Sequence, residues 1–76
     1  MNTIRILYLP DGTRFKDAIN NCKGDVFLEM PDNTICNLKK DRSLMTFISS
    51  MRPQQVDLQL DYADPDDTPV LFGAIA

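Results

Sequence analysis

The stretch Val56-Asp57-Leu58-Gln59-Leu60-Asp61-Tyr62 alternates strictly between apolar and polar side chains. Successive side chains of a β-strand point to opposite faces of a sheet, so this stretch would have one apolar face and one wet face. It predicts a half-exposed strand. A sheet built around such a strand needs a covering layer on one side only.

Two short helices are predicted upstream of this strand, because apolar residues recur there at intervals of three and four. The two apolar stripes are Phe15, Ala18, Ile19 and Cys22, and Leu44, Phe47, Ile48 and Met51. Thr13 is a candidate N-cap for the first helix, and Gly24 is its expected stop. Asp41 or Ser43 would cap the second, which should end at Arg52-Pro53 because the residue before proline avoids the α region.

Three further strands are predicted at residues 3–9, 25–30 and 35–38. The first is expected to be buried on both faces, since its last four residues are all apolar or aromatic. Proline, glycine and aspartate predict turns at 10–13 and 31–34. Residues 70–76 fit either a short helix or an edge strand. The order is therefore β-α-β-β-α-β with an undecided last element, in one domain spanning residues 1–76 with both helices on one face of a four-stranded sheet.

Composition excludes several classes of function. The 8 basic and 11 acidic residues give a net charge of −3, and we expect no nucleic-acid partner because such proteins need a clustered basic face. The nearest basic cluster is Lys39, Lys40 and Arg42, interrupted by Asp41, and we interpret it as a solvated helix entrance. The chain has no histidine, so imidazole chemistry is excluded.

The two cysteines, Cys22 and Cys36, are too few for a disulfide framework. The N-terminus does not resemble a signal peptide, and no segment has the roughly 20 apolar residues of a membrane span. We therefore expect a cytoplasmic protein with reduced, mostly buried cysteines and no membrane association. Without histidine, two thiols cannot complete the usual zinc site, so no metal is expected.

No residue pattern supports catalysis or cofactor binding. The three glycines form no phosphate-binding motif, and neither cysteine has a histidine to activate it. The acidic residues Asp64, Asp66 and Asp67 lack the spacing of a calcium loop and are interpreted as a solvated acidic turn. We expect no enzymatic activity, no catalytic residue and no cofactor.

Several short segments of the chain resemble the histidine-containing phosphocarrier (HPr) family. They are Gly24-Asp25-Val26-Phe27-Leu28-Glu29, Asn37-Leu38-Lys39, Ser43-Leu44-Met45 and the stretch from Val56 to Asp64. Together with the residues around them, these segments cover about 40 of the 76 residues of the chain. It implies an α+β fold of βαββαβ(α) order: an open-faced sandwich whose four-stranded antiparallel sheet carries two to three helices on one face. In that fold the strand from Thr3 would pair with the strand from Val56.

The family's active loop departs from its pattern here. Its Gly-Ile-His-Ala-Arg-Pro stretch would fall on Gly12-Thr13-Arg14-Phe15-Lys16-Asp17. Arg14 then occupies the position of the phospho-accepting histidine, and Lys16 that of its arginine partner. A guanidinium is always protonated and cannot attack phosphorus, so phosphocarrier activity is excluded.

The resemblance also implies a protein-binding surface and a regulatory position. A serine at the start of the family's second helix is phosphorylated in many members, and Ser43 corresponds to it; the alternative is that Ser43 caps the helix. The implied partner-binding residues are Arg14, Phe15, Lys16, Ser43, Leu44, Thr46 and Phe47. Of these, Phe15, Leu44 and Phe47 fit the hydrophobic core equally well. We expect a regulatory module related to the phosphotransferase system that is a monomer or a weak dimer and binds another protein.

A second hypothesis needs no relation to that family. The aspartates between Asp57 and Asp67, with one exposed strand face, would also suit a small acidic α+β interaction protein of phage or mobile-element type. Such a protein would bind or inhibit a host protein.

Overall fold

The computed structural model describes residues 2–75, which form four strands, three α-helices and one 3-10 turn. In chain order these are β1 (Asn2–Leu9), α1 (Gly12–Asn21), β2 (Val26–Glu29), β3 (Ile35–Asn37), α2 (Arg42–Ser49), β4 (Gln54–Tyr62), the turn Pro65–Asp67 and α3 (Thr68–Ile75). The C-terminal segment that the sequence left undecided is therefore a helix.

The strands form one antiparallel sheet in the order β1-β4-β2-β3. Leu60 of β4 lies between Ile4 of β1 and Leu28 of β2, so the alternating stretch occupies an inner position of the sheet. The expected α+β class and the expected pairing of the first and fourth strands are confirmed.

All three helices cover the same face of this sheet, as the burial pattern shows. On the strands the buried side chains alternate with exposed or half-buried ones, as Ile4, Leu28 and Leu60 illustrate. They form one core with side chains from each helix, including Phe15, Ile19, Met45, Ile48 and Leu71. The opposite face of the sheet is open, as the alternation in β4 predicts.

The prediction that β1 is buried on both faces is wrong. Leu7 and Tyr8 are 62% and 49% exposed, while Ile6 and Leu9 are buried. The pairing of β1 with β4 shifts register between Ile6 and Tyr8, so burial loses its alternation at this point. Leu7 lies on the sheet face that none of the helices within residues 2–75 covers, and Tyr8 is exposed where the register shifts.

The helix boundaries differ in part from the predictions. Asp11, not Thr13, caps α1, and its carboxylate accepts hydrogen bonds from the backbone N–H groups of Thr13 (2.8 Å) and Arg14 (3.4 Å). The helix ends at Asn21, before the predicted stop at Gly24. Asp41 caps α2 through the N–H of Leu44 (3.0 Å), so Ser43 does not have that role.

The buried face of α2 is rotated from the predicted stripe. Met45 and Ile48 are buried, Leu44 and Met51 are half-buried, and Phe47 is 64% exposed. Consecutive helical residues lie about 100° apart around the axis. Since α2 packs against both the sheet and α1, the side that contains Met45 and Ile48 is buried, and Phe47 lies outside it.

The N-terminus of α1 meets the C-terminal end of α2 at Gly12. A Cβ atom at this position would lie 2.1 Å from the carbonyl oxygen of Ile48 and 3.0 Å from that of Met51. Thr13 reinforces the contact by donating its hydroxyl to the carbonyl of Ser49 (3.4 Å). The two helices therefore pack with their backbones in direct contact.

The prediction of a solvated acidic turn is wrong for Asp67, which is 2% exposed. Its carboxylate accepts hydrogen bonds from the backbone N–H groups of Lys23 (2.9 Å) and Gly24 (3.0 Å). These groups follow α1 and have no helical partner, so the side chain ties the turn before α3 to the α1–β2 connection.

The ionisation of Asp67 makes folding sensitive to acid. Burial alone would raise its pKa, but the N–H donors of Gly24 and Lys23 and the charges of Lys39 and Lys23 together lower it below the usual value. A carboxyl group whose pKa is lower in the folded state stabilises the fold above its unfolded pKa of about 3.9 and loses that contribution as the pH falls through the folded value.

We therefore expect the stability difference between the protein and its Asp67→Asn variant to be largest near neutral pH and to shrink below about pH 4. Urea unfolding of both proteins at a series of pH values measures this difference. A difference that stays constant down to the acid limit of folding would contradict the assignment.

Candidate protein-binding surface

The residues implied by the resemblance do not form one surface. They lie on α1 and α2, but the structure places them in four different surroundings: against α3, in the core, in the groove between α1 and α2, and on the outer side of α2.

Arg14 lies on the side of α1 that packs against α3. Its guanidinium Nη2 donates a hydrogen bond to the carbonyl oxygen of Gly73 (2.8 Å). The last carbonyls of a helix have no partner within it, and a cation near them is favoured by the helix dipole. The side chain that the resemblance aligns with the family's histidine therefore ties two helices together.

Two of the implied residues belong mainly to the core. Phe15 is 1% exposed, and Leu44 is half-buried and packs against the core cluster. The core interpretation therefore holds for Phe15, which offers no surface to a partner.

Lys16 and Thr46 both line a groove between α1 and α2. The groove is lined by Lys16, Asn20, Leu38, Lys39, Arg42, Met45 and Thr46. Its floor is apolar, since Leu38 and Met45 are buried. Three of its seven lining residues are cationic and none is acidic, so the α1–α2 groove concentrates positive charge in a chain of net charge −3.

Lys39 is the fixed cation of this groove. Its ammonium group donates a hydrogen bond to the carbonyl oxygen of Cys22, just after α1 ends. Burial raises the pKa of the Cys22 thiol, the carboxylate of Asp67 raises it further, and Lys39 acts in the opposite direction. The Cys22 thiol is consequently protonated at neutral pH and is a poor nucleophile.

Phe47 and Ser43 lie one turn apart on α2. Phe47 is the most exposed of the large apolar side chains within residues 2–75. Ser43 is exposed at the second position of the helix, beside the cap residue Asp41. This outer side of α2 is therefore an accessible part of the predicted surface, as are the exposed side chains of Arg14 and Thr46.

Sequence reasoning did not assign Lys39 and Arg42 to a site, because Asp41 between them suggested a solvated charge run. In the structure Asp41 is turned to the helix N-terminus as its cap and does not line the α1–α2 groove. A signal was available: Arg42 lies four residues before Thr46, and Lys16 four before Asn20, which places each pair on one side of its helix.

On the open face of the sheet, acidic side chains are paired with neighbours. Arg5 forms an ion pair with Asp57 (2.8 Å), and the hydroxyl of Thr3 donates to Asp61 (2.8 Å). The side-chain amide of Gln59 donates to Glu29 (2.9 Å). Cross-strand pairs of this kind stabilise a sheet, so much of the negative charge in β4 has a local structural role.

Both cysteines are free thiols; Cys22 is buried and Cys36 half-buried. No helix between residues 2 and 75 combines the length and apolar character needed to cross a membrane. Comparison of the chain with family models, curated proteins and solved structures finds no match.

Proposed function

We propose that this protein is a non-catalytic, HPr-like protein-binding module, related to the phosphotransferase system, in which the helical layer contacts a partner protein. The proposal joins the family resemblance of the sequence to the surface that α1 and α2 present.

The sheet order β1-β4-β2-β3, with three helices on one face, is compatible with the resemblance and supports the proposed HPr-like architecture. The hydrogen bond of Arg14 to α3 supports the non-catalytic character of the proposed module. Its guanidinium is always charged and is bonded to the carbonyl of Gly73, so it provides a helix contact and no phosphoryl acceptor.

Phe47 is the single observation that carries protein binding. A 64%-exposed phenylalanine in the middle of α2 leaves most of its apolar surface in water. Aromatic side chains that become buried at an interface supply a large share of binding energy, whereas a solvated one contributes little to folding. A partner that covers Phe47 would recover that free energy.

We therefore expect Phe47→Ser to weaken partner binding at least tenfold while changing the free energy of unfolding by less than about 0.5 kcal/mol. The measurement is quantitative recovery of proteins from extracts of the source cells on immobilised wild-type and variant protein. Each protein whose recovery depends on Phe47 is then purified, and its dissociation constant is measured by calorimetry.

Phe72→Ser is the matched control, because Phe72 is also a half-exposed phenylalanine but lies on α3. Equal recovery of every protein on the Phe47→Ser and wild-type supports would contradict the proposal. Losses shared by both serine variants would indicate nonspecific hydrophobic capture.

A second candidate function, the small acidic interaction protein, uses the opposite side of the molecule. Within residues 2–75 no element covers the sheet face that contains Asp57, Asp61 and Glu29. Partner binding that survives Phe47→Ser but is lost on replacing Asp57 and Asp61 by asparagine would favour this candidate.

A further inference from the structure

We infer that the α1–α2 groove binds an acidic segment of a partner protein, a peptide rich in aspartate and glutamate. The inference rests on the proposed function, since it names the chemistry of the partner that the helical layer binds.

The charge of the α1–α2 groove favours an acidic partner. Lys16, Lys39 and Arg42 line the groove without a carboxylate among them. Within residues 2–75 the one ion pair is Arg5–Asp57, which lies on the far side of the sheet. Lys39 lies close enough to the buried carboxylate of Asp67 to lower its pKa. Lys16 and Arg42 form no ion pair in that range, although the chain has more acidic than basic residues. Complementary charge on a partner would lower their mutual repulsion and orient its approach.

The cations of the groove come from different parts of the fold. Lys16 and Arg42 come from different helices and so flank the groove from both sides. Lys39, which also lines the groove, is anchored by its hydrogen bond to the carbonyl of Cys22. An arginine side chain can bind a carboxylate through two parallel hydrogen bonds, whereas lysine acts as a mobile point charge. Asn20 and Thr46 add polar groups to the walls.

The same residues disfavour a phosphate-bearing ligand. The helix N-terminus nearest the groove is that of α2, and the carboxylate of Asp41 already occupies it by accepting the N–H of Leu44. An additional phosphate there would meet a negative charge. The groove also lacks a glycine-rich loop and an aromatic side chain for stacking. Carboxylates spread along a peptide fit cations that come from two helices and the segment before α2 better than one compact, highly charged group does.

The test is a titration of the full chain, followed by amide NMR shifts, with three probes used separately: a short peptide rich in Asp and Glu with one leucine, the corresponding Lys-rich peptide, and inorganic phosphate. We expect the acidic peptide alone to shift the amides of Lys16, Asn20, Arg42 and Thr46. Its affinity should fall about tenfold or more in the Lys16→Gln/Arg42→Gln double variant.

Lys40→Gln/Arg52→Gln is the control, because it removes the same charge from exposed positions outside the α1–α2 groove. Equal weakening in both double variants would overturn the inference, since it would show long-range attraction without a site. Shifts at these amides with phosphate and none with the acidic peptide would also overturn it in favour of a small anion. Urea unfolding of each variant establishes that it is folded.

The partner identified through Phe47 separates the two proposals. If Phe47→Ser abolishes its binding while Lys16→Gln/Arg42→Gln leaves it unchanged, the protein-binding function stands and the inferred groove occupant is wrong. If Phe47→Ser has no effect, the proposed function fails, and the peptide titration still decides what the groove binds.

Discussion

Replacing Gly12 by alanine is expected to destabilise the protein by about 3 kcal/mol, the upper end of the usual effect of overpacking. The added Cβ would lie 2.1 Å from the carbonyl oxygen of Ile48 and 3.0 Å from that of Met51. Both are backbone atoms that cannot rotate away, so α1 and α2 must separate. The glycine is needed for space and not for its backbone conformation, because its φ is not positive.

Gly73→Ala is the matched control. A Cβ there would meet nothing within 4 Å, and the position lies within α3. Alanine is favoured over glycine in a helix, so this variant should be more stable by about 0.5–1 kcal/mol. Urea unfolding followed by circular dichroism measures both changes. A Gly12→Ala protein as stable as wild type would show that α1 and α2 are not in direct backbone contact.

Replacing Asp67 by alanine is expected to cost about 3 kcal/mol at neutral pH, because it leaves the N–H groups of Lys23 and Gly24 without their acceptor. The substitution also removes the buried negative charge near Lys39. For a domain of this size, each kcal/mol corresponds to about 4–8 °C in the melting temperature. Calorimetry should therefore show a large downward shift.

Asp66→Ala removes the same charge from an exposed neighbour in the same turn. We expect its stability to stay within about 0.5 kcal/mol of wild type. If the two alanine variants were equally stable, the hydrogen bonds of Asp67 would contribute nothing beyond general electrostatics. A loss confined to Asp67→Ala would identify its carboxylate as the link between the α1–β2 connection and the turn before α3.

Local sequence patterns predicted correctly those elements whose buried side the pattern itself defines. The stripe of Phe15, Ala18, Ile19 and Cys22 is buried throughout, because a short helix over a sheet has one way to bury four aligned apolar residues. In β4, the strict alternation of apolar and polar residues shows which side of the strand is buried. The periodicity of apolar residues predicted the wrong buried side for α2, because four of its eight residues are apolar and the elements packed against it decide which of them are buried.

The predictions that the structure contradicts share a physical cause, because each concerns a feature that depends on contacts between residues distant in sequence. Asp67 is buried because its acceptor oxygens meet N–H groups more than 40 positions earlier in the chain. Leu7 is exposed because it lies on the sheet face opposite the helices, which no property of residues 3–9 shows. The cations of the α1–α2 groove come together only when the two helices pack. The four-residue spacing within each helix shows only which side of that helix they lie on.

The pairing of β1 with β4 has a consequence for synthesis of the chain. Thr3 and Asp61 are hydrogen-bonded across this pair although they are 58 positions apart. Until β4 has left the ribosome, β1 has no strand to pair with, and the β2–β3 hairpin is the one part of the sheet that can form. Such distant pairing slows folding and exposes apolar strands meanwhile. The nascent chain must therefore remain soluble with β1 unpaired until β4 has emerged from the ribosome.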